Sequence, residues 1–279
     1  MLTYGHNFDI ELYSKIQKIP FSQGNCGKEK LMTQPQKSSK PSMGERLDAD
    51  HVFLFECAPG ISCFTQCCRD VTIVLTPYDV LRLKNALGIT SGEFLDKYTL
   101  IIPKGNLLIP MAVLKMREDN KNCQLVTKDG CTVYSDRPWA CRMYPLSVNE
   151  DGTFSTIADP ARCMGLSQKV PSRISEWLIG QGVPVYEEMN DLFTQITSPL
   201  KAQNLDIDNP QVKKMTFMAL YNIDAFREFI FKSSFMDKFV VEPLTIEKIK
   251  RSDTELLKFA FDWIKFGLFG QKLFAVKKS

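Results

Sequence analysis

The stretch CAPGISCFTQCCR, residues 57–69, decides how this chain is read. It holds Cys57, Cys63 and the vicinal pair Cys67 and Cys68, and it is followed by Cys123, Cys131, Cys141 and Cys163, so eight of the nine cysteines crowd into one part of the sequence. Thiolates gathered at loop spacings are the ligands that zinc and the iron of iron-sulfur clusters take. A disulfide framework would suit a short secreted chain with an even cysteine count, whereas this chain has 279 residues, an odd count and an opening, MLTYGHNFDIELYSK, without the basic and apolar regions of a signal peptide. Buried structural thiols are the blander reading, but scattered core cysteines seldom come as a vicinal pair with a third thiol four residues earlier.

Working outward, the apolar run His51 to Phe55 leads into the first cysteines and Val71 to Leu75 leaves them, which slings the ligand loop between two short extended segments. Thr76, Pro77 and Asp79 supply an N-cap, an N1 proline and an acid at N3, and Val80, Leu83 and Leu87 follow at helical spacing before Gly88. A second short helix is expected from Ser91 to Tyr98. The aliphatic run Leu107 to Met116 reads as a strand that Pro110 assigns to an edge or a bulge. Extended pieces near Leu125 and from Thr132 to Tyr134 carry Cys123 and Cys131 near their ends. The fold class is therefore α+β: a small metal-stapled cysteine module, 51–170, followed by an all-helical region, 171–279.

Residues 1–50 read as a flexible leader, because 22–50 is too rich in Gln, Ser, Lys, Gly and Pro to bury a core. Cys26 lies inside it, apart from the ligand group. Phe8, Leu12, Ile16 and Ile19 form a weakly amphipathic stretch ahead of it. In the C-terminal region cysteines are absent and 11 of the 19 phenylalanines follow Pro210, which predicts four to six helices with an aromatic core stripe. Pro184, the pair Asn209 and Pro210, and the box from Ser252 to Glu255 mark helix starts. Lys258, Lys265 and Lys272 beside the last phenylalanines leave room for a protein partner or a membrane surface.

A net charge of only +3 implies no nucleic-acid partner, and the apolar stretch Leu256 to Phe269 is broken by Lys258, Asp262 and Lys265, so no transmembrane segment is expected. The balance suits a cytoplasmic protein. With two histidines, His6 and His51, the site must be nearly all sulfur. Four thiolates around Zn2+ or a [4Fe-4S]2+ core carry about two negative charges in excess. Arg69, Arg137, Arg142 and Arg162, each beside or near a cysteine, are placed to offset that charge and donate hydrogen bonds to sulfur, or else simply face solvent. Neighbouring side chains in an extended segment point apart, so Cys67 and Cys68 suggest two sites, or one site and an additional thiol. The spacings are looser than the usual pairs of zinc ribbons, which leans toward iron. P-loop, HExxH, GxGxxG and radical-SAM signatures do not occur.

Taken together, Cys57 to Arg69, LTPYDVLRLKNALGI at 75–89, Cys123, Cys131, YSDRPWACRMYP at 134–145 and Arg162 to Gly165 resemble the YkgJ family of cysteine-cluster proteins over about residues 51–166. This chain departs from the family's tighter opening, C-x3-C-x2-C-C, at Cys57. The resemblance implies a zinc- or iron-chelating domain with no general activity attached. Flagellin lysine methylases look like relatives. Two functional classes follow: a structural or electron-carrying metal-binding protein, or a metal-dependent enzyme such as a protein lysine methyltransferase or oxidoreductase with the helical region as substrate domain.

Overall fold

A computed structural model of the chain describes residues 44–102, 109–202 and 209–277. Cys26, His6, the amphipathic stretch from Phe8 to Ile19 and nearly all of the expected leader lie outside the described residues, as do Leu107 and Leu108 of the expected strand. The fold is α+β: short strands in small sheets, with a helical C-terminal region. Two compact units divide the chain, one joining the sequence up to Cys67 with Arg142–Pro184, the other joining Cys68–Cys141 with Val185–Ser279. The cuts fall between Cys67 and Cys68 and just after Cys141, so both units draw on the cysteine segment.

In the first unit, Val52–Leu54 pairs antiparallel with Pro171–Arg173 in the register Phe53 to Ser172. Alternation turns Phe53 inward, where it is fully buried and meets Trp177 edge-on at 5.5 Å, while Phe55 meets the same indole at 5.8 Å. Trp177 sits on the helix Ile174–Gly180, so these three rings join strand to helix. A hairpin of Leu146–Val148 and Phe154–Thr156 turns at Gly152, whose φ of 80° is the left-handed region open to glycine. Leu47 bridges onto Phe154 through two reciprocal main-chain hydrogen bonds of 2.8 Å.

In the second unit, Met111–Leu114 is the centre of a three-stranded antiparallel sheet, flanked by Val74–Leu75 and Thr99–Ile102. All four of its residues are buried. The expectation of an edge or bulge position is thus corrected: Pro110 lies just ahead of the strand, so its missing N–H falls outside the ladder. The helix Pro77–Leu87 opens with a full capping box between Thr76 and Asp79 and ends at Gly88 with a φ of 65°, and Ser91–Tyr98 repeats the device with Thr90 and Glu93.

Seven helices follow Arg173 among the described residues, against the four to six expected. The surplus comes from pieces such as Phe235–Lys238, whose four residues are too short to show a period. Asn209 caps Pro210–Tyr221 by accepting from the N–H groups of Gln211 and Val212, and the Ser252 hydroxyl accepts from Glu255 to open Asp253–Phe269. Together with the helix Ile223–Lys232, their buried faces supply core to this unit, with Phe226, Ile230, Leu256, Leu257 and Ala260 all essentially inaccessible. Lys84 is buried among them and is matched by Asp253 at 2.7 Å and Asp224 at 3.3 Å. A buried ammonium without such partners would cost several kcal/mol.

Candidate metal centre

The loop from Cys57 to Cys68 is a succession of tight turns, with Ile61 donating to the carbonyl of Ala58, Phe64 to Ile61 and Gln66 to Cys63. Thr65, two residues before Cys67, has a φ of 66°. A β-branched residue there is strained by about 1–3 kcal/mol, and such strain collects at functional sites. The chain then pairs as a short ribbon: Asp70 donates to the Lys121 carbonyl at 2.8 Å and Cys123 donates to the Cys68 carbonyl at 2.7 Å. Asp70 and Lys121 themselves have φ of 53° and 61°, so three non-glycine residues in the left-handed region flank the cysteines.

In the first unit the main chain of Glu56 is pressed against the turn after Cys163. Glu56 donates to the Gly165 carbonyl at 3.2 Å, and a Cβ on Gly165 would stand 2.6 Å from the Glu56 carbonyl oxygen. Only glycine fits this approach, which ties the backbone next to Cys57 to the backbone next to Cys163. Met164 N–H donates to Cys63 Sγ at 3.2 Å. Cys163 is buried, and burial pushes its thiol up in pKa, against the pull of N–H donors from Leu166 and Gly165 and of the Tyr144 hydroxyl. Tyr144 is held well above the ordinary phenol range, first by burial and then by Cys163, Cys67 and Cys63 around it. One hydroxyl therefore sees three of the expected ligands.

In the second unit Cys131 ends the hairpin strand Gly130–Cys131, opposite Val126. Burial pushes Cys123 and Cys131 up, opposed at Cys123 by the Leu125 N–H, 3.4 Å from its sulfur, and at Cys131 by the Val133 N–H. Each also feels a guanidinium, Arg117 for Cys123 and Arg137 for Cys131. Arg117 is oriented by the carbonyls of Gln124 and Val126, both at 3.1 Å, and Arg137 by the Tyr134 carbonyl at 2.6 Å and by the Tyr134 ring, 3.9 Å from its guanidinium carbon. Cys141 lies on the short helix Trp139–Met143, whose first N–H is capped by Asp79 Oδ1 at 2.8 Å.

Of the four arginines singled out in the sequence, Arg137 and Arg142 are buried, whereas Arg69 and Arg162 are exposed. Arg142 donates to the Gln181 carbonyl at 2.5 Å. Sequence reasoning missed Arg117 and Tyr144. Tyr144 was within sight, three residues after Cys141, but nothing local marks its hydroxyl as a donor to Cys163; Arg117 stands six residues from Cys123 and reaches it only through the ribbon. His51, the one histidine near the ligands in sequence, has a buried Nε2 with no hydrogen-bond partner.

Among the described residues no three His, Cys, Asp or Glu side chains already converge on a point as metal ligands do. The donor chemistry nonetheless fits a soft metal, since the groups are sulfur and several already receive N–H or O–H donors.

Residues 56–163 match the family model CxxCxxCC, described as a "Putative zinc- or iron-chelating domain", which is the cysteine-cluster family that the sequence resembles. The match supports metal binding by this segment. No curated protein and no solved structure matches the chain. No helix among the described residues is long and apolar enough to cross a membrane.

Proposed function

We propose that the protein is a metal-binding module in which Cys57, Cys63, Cys67, Cys68, Cys123, Cys131, Cys141 and Cys163 hold iron-sulfur clusters, or zinc in their place, as a structural or electron-carrying unit. The observation that carries this reading is the set of hydrogen bonds aimed at sulfur, from Met164 to Cys63, from Tyr144 to Cys163 and from Leu125 to Cys123. Donors of this kind stabilise anionic sulfur and set the potential of a cluster. When bound, the metal supplies either a rigid tie between loops or one-electron chemistry. In this reading the chain's own groups orient the sulfurs and offset their charge, Arg117 at Cys123 and Arg137 at Cys131, with Arg69, Arg142 and Arg162 as the further counter-charges expected from the sequence. The segment 51–170 is then the chelating part, and the helices of 171–279 are its scaffold and a surface for a protein partner. Cysteines that serve as metal thiolates rather than as disulfides fit the cytoplasm, where disulfides are rare.

The test is anaerobic purification followed by an absorption spectrum and by metal and sulfide analysis of the full chain. A broad band near about 400 nm with matching iron and sulfide is the expected result. A colourless protein with stoichiometric zinc would select the structural form, and a chain that holds neither metal would overturn the reading.

A further inference from the structure

Resting on that chelation reading, we infer that the chain builds two separate all-thiolate centres of four sulfurs each, one from Cys57, Cys63, Cys67 and Cys163, the other from Cys68, Cys123, Cys131 and Cys141. The vicinal pair is the point of division. Cys67 and Cys68 lie in the 3-10 turn Gln66–Cys68, where successive side chains are set roughly 120° apart, so their sulfurs leave the backbone in different directions. The cut between the compact units falls at the same peptide bond, and its second cut, after Cys141, leaves Cys163 with the first group. Eight thiols are thereby shared four and four.

Interactions within each unit hold its own set together. In the first, the Met164 N–H donates to Cys63, and the contact of Glu56 with Gly165 brings the backbone at Cys57 to the turn after Cys163. In the second, the Cys123 N–H donates to the Cys68 carbonyl, and the Val126 N–H donates to the Cys123 carbonyl while Val126 pairs with Cys131 across the hairpin. Four thiolates meet the usual requirement of one tetrahedral zinc or one cubane cluster, and each thiol gives up its proton to solvent as the metal enters.

The experiment compares the full-length wild type with Cys67→Ser and Cys68→Ser, each purified anaerobically, by metal content per chain and by alkylation mapped with mass spectrometry. Wild type should hold two centres and each variant about half of the metal. In Cys67→Ser the remaining thiols of the first set should become alkylated while Cys68, Cys123, Cys131 and Cys141 stay protected, and Cys68→Ser should give the reverse. Cys57→Ser and Cys141→Ser repeat the comparison away from the vicinal pair, and far-UV circular dichroism separates loss of a centre from loss of fold. A wild type with a single centre, or a single variant that unprotects thiols of both sets while its helicity is intact, would overturn the division and leave chelation standing. A wild type without metal, alkylated throughout, would remove the chelation reading and the division with it.

Discussion

Asp79 is one carboxylate serving two helices. Its Oδ2 accepts from the Thr76 N–H at 2.8 Å, closing the capping box of its own helix, and its Oδ1 accepts from the Trp139 N–H at 2.8 Å, starting the helix that carries Cys141. It is 1% exposed, so no water replaces it when it is removed. Asp79→Ala should lower stability by about 2–3 kcal/mol, read as a shift in urea midpoint with an unchanged slope, because two charge-assisted bonds and a cap are lost together. Gly165 gives a second prediction at this scale. Gly165→Ala pushes a methyl into the Glu56 carbonyl and the Phe55 ring, at 2.6 and 2.8 Å, and overpacking of that kind costs about 1–3 kcal/mol. Its melting temperature should fall, and retention of metal by Cys57 and Cys163 should fall with it; a variant with wild-type melting and metal content would show that the Glu56 backbone can move aside.

At the scale of elements, the helices of the second unit are tied by charge as well as by apolar packing. Lys84 on Pro77–Leu87 meets Asp224 on Ile223–Lys232 and Asp253 at the start of Asp253–Phe269, where Arg227 also reaches Asp253. Burial alone would raise the Asp253 carboxyl, but Lys84 and Arg227 overcome it and hold the group below its ordinary value. A carboxylate depressed in the folded state stabilises the fold above its unfolded pKa of about 3.9 and loses that contribution as pH falls through the folded value. Asp253→Asn should therefore be less stable than wild type at neutral pH, and the gap should narrow below about pH 4. A gap that stayed constant down to pH 2 in denaturant titrations would mean that the carboxylate charge contributes nothing. Lys84→Ala leaves Asp253 to Arg227 and Asp224 to Ser91, and should cost about 1–3 kcal/mol.

For the whole molecule, the cysteine segment has short strands, tight turns and strained residues where a larger domain would have an extensive core. Metal affinity is then folding free energy. Removing the metal should make 51–170 sensitive to protease while the helix Asp253–Phe269, packed through Leu256, Leu257, Phe261 and Ile264, survives longer. Equal cleavage of both regions with and without metal would contradict this. In the stripped protein the exposed Cys57 and Cys67 should alkylate before Cys123, Cys131 and Cys163, whose thiols burial keeps protonated.

What the sequence determined by itself is local. Thr76, Pro77, Asp79 and Gly88 marked a helix to the residue because caps act over one turn, and the loop spacing of soft donors announced metal chemistry because few other environments concentrate thiols. The class α+β followed from the change of pattern beyond Val170. Only the tertiary structure decided the rest. Val52–Leu54 takes its partner at Pro171–Arg173, Arg117 reaches Cys123 across a ribbon, Tyr144 turns toward Cys163, and Pro110 precedes a central strand rather than marking an edge. These pairings join residues far apart in the chain or depend on which way a side chain faces. They are set by the packing of Phe53 on Trp177 and by the capping of Trp139 by Asp79, and contacts of that kind leave no periodicity for a linear reading to find.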